Sequence, residues 1–378
     1  MKAKEFNWIP GIFIISYHIA LVALLPYYLM NYSPGWKLLT VSTLLLCFSG
    51  ISISAGYHRF YSHKAYTPNK IFESVLLFFG TTALEGSALY WSHEHRIHHK
   101  FTDTDEDPHS IKKGFMYAHM LWIFRKPREI DFNSVQDLAK NRLVMFQHKF
   151  YGVLTAMSNL LVLCFIWILT GDLFGTFVIA FLARVFLLHH FTWFINSLAH
   201  TFGAKTYSGE QTAVDNYMMA LVTWGEGYHN YHHVFASDYR NGVKWYHFDP
   251  SKWLIWTMNK IGFASDLKKM SPMAIKRAII REDKKILLEK LAEAEPEKKS
   301  MLELKVNELS EALFSKMQEI SRLVNEYSKD FSQRKAIKMK LKEEKAAFSK
   351  AWNDWVKMSK EITRLDKKSD FKYLNSAA

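Results

Sequence analysis

The sequence predicts an all-α integral membrane protein that carries a charged helical tail. Four apolar segments are each long enough to cross a bilayer, and clusters of histidine lie next to them. The composition then changes, because Lys, Glu, Arg and Asp dominate the last part of the chain. A mean hydropathy of -0.11 averages these two parts. We therefore predict a membrane domain over residues 1–281 and a charged helical tail over 282–378.

The four apolar segments lie at about residues 8–30, 38–55, 153–170 and 174–195. A helix needs about 20 mostly apolar residues to span the hydrocarbon core. Short connections at 31–37 and 171–172 join the segments in pairs, so the sequence predicts two membrane hairpins. A further apolar stretch, 71–84, is shorter and is interrupted by Glu73. It predicts an interfacial or buried helix rather than a fifth span.

Basic residues are concentrated between the second and third apolar segments. Since Lys and Arg accumulate in cytoplasmic loops, this bias predicts that both termini and the 57–152 connection are cytosolic. The membrane is then a bacterial inner membrane or that of the endoplasmic reticulum. Attraction to anionic headgroups accounts for the formal net charge of +13, and no nucleic-acid partner is predicted. The only cysteines, Cys47 and Cys164, lie in apolar segments and are too few for a disulfide framework.

Histidines form three clusters at the predicted cytosolic ends of these segments. Eight of the 17 histidines belong to the clusters, and the element Asn196-Ser197-Leu198-Ala199-His200 adds a ninth imidazole and a carboxamide. The clusters are His58 and His63; His95, His98 and His99; and His229, His232 and His233. So many imidazoles exceed what one metal ion binds, so we predict two metal ions.

The spacing predicts how these side chains are presented. The second and third clusters place histidines at i, i+3 and i+4, which lie on one face of a helix. Asn196 and His200 are one helical turn apart. His58 and His63 are five positions apart, so one of them is expected beyond the end of its helix. Because all clusters belong to the same predicted side of the membrane, they can converge.

The ligand type narrows the choice of metal. Structural zinc commonly uses cysteine, which these clusters lack, whereas imidazole suits iron, copper, nickel and zinc. The position beside an apolar interior favours redox iron that activates oxygen for a reaction on lipid. Arg184, within the fourth segment, must face protein or water. The remaining histidines are interpreted as ordinary core or surface residues: His18, His93, His109, His119, His148, His189, His190 and His247.

The clusters resemble the histidine boxes of membrane acyl-CoA desaturases of the delta-9 (stearoyl-CoA) family. The resemblance covers about residues 10–280 and is nearest in spelling to fungal members. The motifs that carry it are His-Arg-x-x-Ser-His at 58–63, His-Arg-x-His-His at 95–99, Glu-Gly-x-His-Asn-x-His-His at 226–233, Glu85-Gly86-Ser87-Ala88 and Asp238-Tyr239-Arg240-Asn241.

The resemblance implies a cytosolic helical cap that holds a di-iron site. It assigns one iron to His58, His63, His95, His99 and His232, and the other to His98, His200, His229 and His233, with Asn196 near the second through water. The implied reaction uses dioxygen to remove two hydrogens from a saturated long-chain acyl-CoA and leaves a cis double bond, at the delta-9 position by analogy. Arg125 and Lys126 fall where the family contacts the CoA phosphates, although snorkelling to lipid phosphate suits them equally. Trp193 is expected to line the acyl tunnel.

The chain departs from this family in three places. The His-Pro-Gly-Gly haem signature of the fungal cytochrome b5 domain does not occur, so a separate electron donor is expected, either cytochrome b5-like or a ferredoxin with its reductase. Gly86 and His93 stand where vertebrate members contact CoA through Asn and Arg. The family does not explain the tail, whose 3-4 spacing of apolar residues predicts a coiled-coil-like helical hairpin or an oligomerisation element.

Two other functions fit the same residues. A membrane hydroxylase of alkyl or lipid chains shares histidine-rich boxes and would add oxygen to the carbon that a desaturase oxidises. A non-catalytic metal-binding membrane scaffold, assembled through its tail, belongs to a different class. The Asn-Ser-Leu-Ala-His element and the third box favour desaturation. Neither the acyl length nor the carrier (CoA, acyl carrier protein or phospholipid) follows from the sequence.

Overall fold

The computed structural model describes residues 6–292, 296–329 and 333–365, most of which are helical. Within these ranges two short strands, Thr67–Pro68 and Ala264–Ser265, form an antiparallel pair. The chain divides into two compact units. One comprises Met1–Ala204 and Glu210–Lys269, and the other comprises Lys205–Gly209 and Met270–Ala378.

Four helices of the first unit are long and apolar enough to cross a membrane. They are Trp8–Asn31, Trp36–Ser62, Tyr151–Thr170 and Leu173–His200, called here apolar helices 1 to 4. They confirm the four predicted apolar segments, and the 71–84 stretch forms the shorter helix Lys70–Thr82. Large apolar side chains point outward from helices 1 and 3, for example Ile9 (85% exposed) and Ile168 (79%). A lipid-embedded helix presents such a surface, because apolar side chains that face lipid are not exposed to water.

Apolar helices 2 and 4 continue beyond the segments that hydropathy predicts. Helix 2 is α-helical over Trp36–Ile51 and π-helical over Ser52–Ser62. Helix 4 consists of Leu173–Gly175, a π-helical Thr176–Ala183, Arg184–Ser197 and the 3-10 turn Leu198–His200. The predicted ends at 55 and 195 mark only where hydropathy falls. The helices extend past them because neighbouring elements bury their polar ends, including His58 (4% exposed) and His200 (6%).

The connection between apolar helices 3 and 4 is a tight turn. Gly171 ends helix 3 with φ 73°, a conformation that glycine adopts without strain. The Asp172 carboxylate then accepts from the Gly175 backbone N–H at 2.6 Å and from the Tyr28 hydroxyl at 2.5 Å. One side chain therefore caps helix 4 and joins it to helix 1.

Shorter helices complete the first unit. Ser87 accepts from the backbone N–H of Tyr90, which fixes the start of the helix that carries the second histidine cluster. A buried core that includes Tyr57, Leu89 and Trp224 supports these elements. The α-helices are Lys70–Thr82, Ala88–Phe101, Phe115–His119, Gln136–Ala139, Arg142–Lys149, Tyr217–Val222, His229–Val234 and Pro250–Lys260, and the 3-10 helices are Ile111–Lys113 and Leu121–Phe124.

The second unit is built from the helices Pro272–Leu291, Pro296–Lys329 and Arg334–Leu365. Pro296 starts a helix, a position where its missing N–H has no intrahelical acceptor to lose. Most apolar side chains with 3-4 spacing form the buried faces, which explains the pattern in the sequence, whereas Val324 and Tyr327 at its end are exposed. The core includes Ile280, Leu287, Leu302, Val306, Leu313, Met317, Ile320, Phe348, Trp355 and Met358.

Arg184 lies on apolar helix 4 and is buried in the first unit, with 2% of its surface exposed. Its guanidinium donates to the Thr82 carbonyl at 2.8 Å, to Asn159 Oδ1 at 2.7 Å and to the Ala180 carbonyl at 3.0 Å. Protein groups therefore satisfy this charge, as a cation at membrane depth requires.

Replacing Asn159 by Leu removes a side-chain acceptor of this buried cation. We expect the free energy of unfolding to fall by about 1.5–3 kcal/mol, the range for a hydrogen bond to a charged group. Thermal denaturation in detergent micelles measures it. Asn133→Leu, at an exposed position, is the matched control, and equal melting temperatures for the two variants would contradict the assignment.

Candidate metal centre

The first histidine cluster lies at the end of apolar helix 2. The π-helical segment ends at Ser62, and His63 follows it, as the five-residue spacing predicts. The His63 backbone N–H donates to the His58 carbonyl at 3.2 Å, the i to i+5 pattern of a π-helix. This wider turn brings His58 and His63 close together, with ring centroids 4.9 Å apart.

The second and third clusters lie on the helices Ala88–Phe101 and His229–Val234. Each holds three histidines, and each divides them between two groups. His98 turns toward one group while His95 and His99 turn toward the other, and His232 separates likewise from His229 and His233. One helix face can supply histidines to both groups because the two groups lie next to each other along that face.

The structure brings the nine predicted histidines into two groups. Within each group the potential ligand nitrogens lie within 4.8 Å of one another. These are the two sets into which the resemblance divides the histidines. The first group is His58, His63, His95, His99 and His232, and the second is His98, His200, His229 and His233.

The rings face one another through their Nε2 atoms. In the first group, Nε2–Nε2 distances are 2.9 Å for His58–His232, 2.8 Å for His63–His95 and 2.9 Å for His99–His232. In the second group, Nε2 of His229 lies 3.0 Å from those of His200 and His233. Such separations bring the nitrogens around a common point in each group.

Six of these imidazoles favour the neutral form. Burial, reinforced by neighbouring imidazoles, lowers the pKa well below its usual value for His63, His95, His99, His229, His232 and His233. A neutral ring offers one N–H and one lone pair. If the N–H points outward, several lone pairs face one another inside each group. A bound cation relieves that repulsion, so both donor sets fit a metal ion.

Polar side chains lie against the outward Nδ1 atoms of four rings. His58 Nδ1 lies 2.8 Å from Glu226 Oε2, and His98 Nδ1 lies 3.0 Å from Asp107 Oδ1. Thr212 Oγ1 lies 2.8 Å from His200 Nδ1, and Gln211 Oε1 lies 2.9 Å from His233 Nδ1. Each group therefore has one carboxylate–histidine pair that directs a ring toward its centre.

Glu226 is the centre of a buried ionic network. Arg59 donates to its Oε1 at 2.9 Å and also pairs with Asp249 at 2.9 Å. Asn241 donates to Oε2 at 2.6 Å, and the Ser54 hydroxyl also donates to the carboxylate. Burial alone would raise the pKa of Glu226, but His58 and Arg59 outweigh it and lower the pKa to about 2. The carboxylate is thus ionised and available to hold His58.

Sequence reasoning did not assign a role to these supporting residues. Arg59 belongs to the first histidine motif and Glu226 to the third, whereas Asp107, Asp249, Gln211 and Thr212 carry no spacing signal. His109, which was interpreted as an ordinary residue, lies with Asp107 and His98 in a third compact group. Burial, with His98 adding to it, lowers the pKa of His109 to about 3.

Other histidines pair away from the two groups. His190 connects His18 (3.1 Å) with His119 (2.9 Å), and His119 reaches Ser197 Oγ at 3.1 Å. His189 lies 3.1 Å from the Tyr17 hydroxyl and 2.9 Å from the Ala83 carbonyl oxygen. These contacts satisfy the polar atoms of His18, His189 and His190 within the apolar helices, so their presence there does not require a metal ion.

A cavity of about 450 Å³ lies beside the histidine groups. Its lining includes the predicted Arg125, Lys126, Trp193 and Asn196, the last of these without a described contact to either group. Lys113 and Arg128 add to the basic lining. Apolar side chains line another part: Phe13, Ile14, Ile53, Leu84 and Trp224. One cavity therefore joins a cationic region, the histidines and an apolar region.

Glu85 is a further polar group in this cavity. Thr192 donates to its Oε1 at 2.8 Å. Burial raises the pKa of Glu85 to about 7 against the opposing hydrogen bonds from Thr192 and Trp91. A carboxyl with a pKa near neutrality is partly protonated at about pH 7, which suits a wall shared with apolar residues.

Comparison with known proteins assigns the chain to a family. Residues 34–259 match the model of the family "Fatty acid desaturase". A "Probable acyl-CoA desaturase" of Schizosaccharomyces pombe is 41% identical over 254 residues, covering 66% of this chain and 53% of the relative. "Acyl-CoA desaturase 1" of Saccharomyces cerevisiae is 36% identical over 300 residues, covering 76% and 57%.

A third relative is covered more completely. "Stearoyl-CoA desaturase 5" of Bos taurus is 31% identical over 271 residues, covering 68% of this chain and 79% of the relative. The chain spans little more than half the length of the two fungal proteins. The matched residues include every histidine of both groups, and the chain belongs to the fatty acid desaturase family.

Proposed function

We propose that the protein is an acyl-CoA desaturase that introduces a cis double bond, at the delta-9 position by analogy, into a saturated long-chain acyl-CoA. The observation that carries the proposal is the pair of histidine groups beside a cavity with cationic and apolar regions. The names of the relatives, acyl-CoA and stearoyl-CoA desaturases, support the same substrate class. The overall reaction consumes dioxygen, two electrons and two protons, and yields the alkene and two waters.

Two iron ions are the proposed cofactors. The first group, with five nitrogens, would hold one iron, and the second group, with four, would hold the other, with Asn196 contributing through water. Imidazole donors without cysteine suit iron, and Asp107 and Glu226 would supply negative charge behind the ligands. When bound, the irons supply the oxygen activation that an unactivated C–H bond requires.

The protein's own residues position the substrate. The apolar part of the cavity would hold the acyl chain and exclude water, with Trp193 in its wall. Arg125 and Lys126, joined by Lys113 and Arg128, would bind the CoA phosphates through charge-assisted hydrogen bonds. Since the methylenes of a saturated chain are chemically alike, only this fixed geometry selects which carbons react.

We also propose the membrane arrangement that the sequence predicts. Apolar helices 1 and 2, and 3 and 4, would form two hairpins, with the termini and histidine groups on the cytosolic side of a bacterial inner membrane or of the endoplasmic reticulum. An external carrier, cytochrome b5-like or a ferredoxin with its reductase, would deliver the electrons. The division into a membrane domain at 1–281 and a coiled-coil-like tail at 282–378, with oligomerisation through the tail, belongs to the same proposal.

Two alternatives share this geometry. A hydroxylase would use the same histidines and cavity but retain oxygen in its product. A metal-binding scaffold would need no substrate cavity. The names of the relatives favour desaturation over both.

Expression in a host that lacks monounsaturated fatty acids tests the reaction. We expect a new monounsaturated acyl chain, with its bond position mapped by gas chromatography–mass spectrometry. His232→Ala should abolish it, because this ring lies within 2.9 Å of two others in the first group. His148→Ala, outside both groups, is the matched control. Hydroxylated chains would indicate the hydroxylase, and metal-containing protein without any product would indicate the scaffold.

Glu226→Gln tests the iron assignment without relying on turnover. The amide cannot supply the negative charge behind His58, so we expect iron affinity to fall about 10- to 100-fold. Iron per chain after dialysis against graded chelator, measured by mass spectrometry, gives the affinity. Glu129→Gln, at an exposed position, is the control. Unchanged retention in Glu226→Gln, with the fold intact by circular dichroism, would contradict the role of this carboxylate.

A further inference from the structure

The side chain of Trp224 lies between apolar helices 2 and 4. It is 8% exposed and packs in one core cluster with Ile53 of helix 2 and Leu188 of helix 4. Its ring centroid lies 6.2 Å from that of Phe191, also on helix 4. Because Trp224 also lines the cavity, the indole forms part of the cavity wall between these two helices.

The contact with Gly50 shows how closely the indole approaches helix 2. A Cβ built on Gly50 would overlap the six-membered ring of Trp224. Only a residue without a side chain leaves room for the ring in this position. The Trp224–Gly50 pair therefore forms a tight wall of the cavity.

The backbone holds the indole in place. Trp224 has φ 54° and Gly225 has φ 102°, so two consecutive residues adopt left-handed conformations. Such a conformation is costly for a tryptophan and persists only where the surroundings impose it. Glu226 follows directly and is fixed by His58 and Arg59. The same turn thus places the carboxylate behind a histidine and the indole in the cavity wall.

The depth of the cavity can be measured along helix 2, against which the indole packs. Gly50 is the first cavity-lining residue of this helix and precedes His58 by eight residues, at most about 12 Å along an α-helix. The residues from Ser52 onward are π-helical, and a π-helix rises less per residue than an α-helix. The end of the cavity at Gly50 and Trp224 therefore lies about 10 Å from the level of His58.

We propose that Trp224 limits the length of alkyl chain that the cavity accepts beyond the oxidised carbons. This inference rests on the proposed desaturase function. An extended alkyl chain advances by about 1.25 Å per carbon, given C–C bonds of about 1.5 Å. The space from the histidines to the indole therefore admits about eight carbons beyond the double bond. For oxidation at carbons 9 and 10, the limit corresponds to an acyl chain of about 18 carbons.

Two opposite changes test the inference. Trp224→Leu shortens the wall residue and should admit about two further methylenes, which raises the ratio of C20 to C18 use about tenfold. Gly50→Ala should push the indole into the cavity and favour chains shorter than those of the wild type. In the double variant no indole remains to collide with the alanine, so its preference should return to that of Trp224→Leu. Trp253→Leu, which removes a tryptophan that is 42% exposed and outside the cavity lining, is the matched control.

Two readouts separate this inference from the proposed function. The thermal stabilisation of purified full-length protein by saturated C14 to C22 acyl-CoAs reports chain-length preference without turnover. Monounsaturated products from the same host fed with saturated fatty acids of each length report it with turnover. A shift toward C20 in both, absent from Trp253→Leu, is the expected result.

Three results would overturn the inference. The first is an unchanged length profile in Trp224→Leu while the wild type forms product. The second is a double variant that keeps the profile of Gly50→Ala. The third is the absence of stabilisation by any acyl-CoA, which removes acyl chains as the ligand of this cavity. Failure of the desaturase proposal has a different signature, because stabilisation by acyl-CoA would then depend on Trp224 while no monounsaturated product appears.

Discussion

The site depends on holding nine imidazoles in two compact groups, with Nε2 atoms facing inward at about 3 Å. Nitrogen lone pairs at this distance repel one another. Burial disfavours protonation of the rings, so protons do not occupy these lone pairs. Polar side chains on the outer side of the rings hold the imidazoles in this arrangement. Glu226, Asp107, Gln211 and Thr212 lie against Nδ1 atoms and orient the rings. The inner side is left as two donor sets that fit metal ions.

Much of the remaining structure supports the histidines and the polar side chains at their Nδ1 atoms. Arg59 carries a positive charge between Glu226 and Asp249, so the negative charge behind His58 is partly balanced in a buried position. Apolar helices 2 and 4 extend past their apolar segments to bring His58 and His200 to the groups. The π-helical turn at the end of helix 2 changes the angular spacing, so two histidines five positions apart become neighbours. The turn at 224–226 serves both the histidines and the cavity wall.

The sequence indicated the candidate ligand residues because imidazole spacing is a local property. Three histidines at i, i+3 and i+4 share a helix face in any structure that forms the helix. The division of each such triplet between two groups is different, since it depends on where neighbouring helices place their own rings. The resemblance to a family supplied that division in advance, whereas the spacing did not. Asp107, Gln211 and Thr212 could not be found from spacing because their partners are distant or irregularly placed in the chain.

The sequence by itself determined the number of apolar helices, the nature of the candidate ligands and the helical character of the tail. These properties follow from hydropathy and periodicity, which act over a few turns of one segment. Tertiary structure alone decided the hydrogen-bond partners of the histidines, the acceptors of the buried Arg184 guanidinium and the place of Trp224 in the cavity wall. Each of these is a contact between residues far apart in the chain, with a geometry set by helix packing and by turns with left-handed backbone. Side-chain chemistry is encoded locally, but its pairing is fixed only when the whole unit packs.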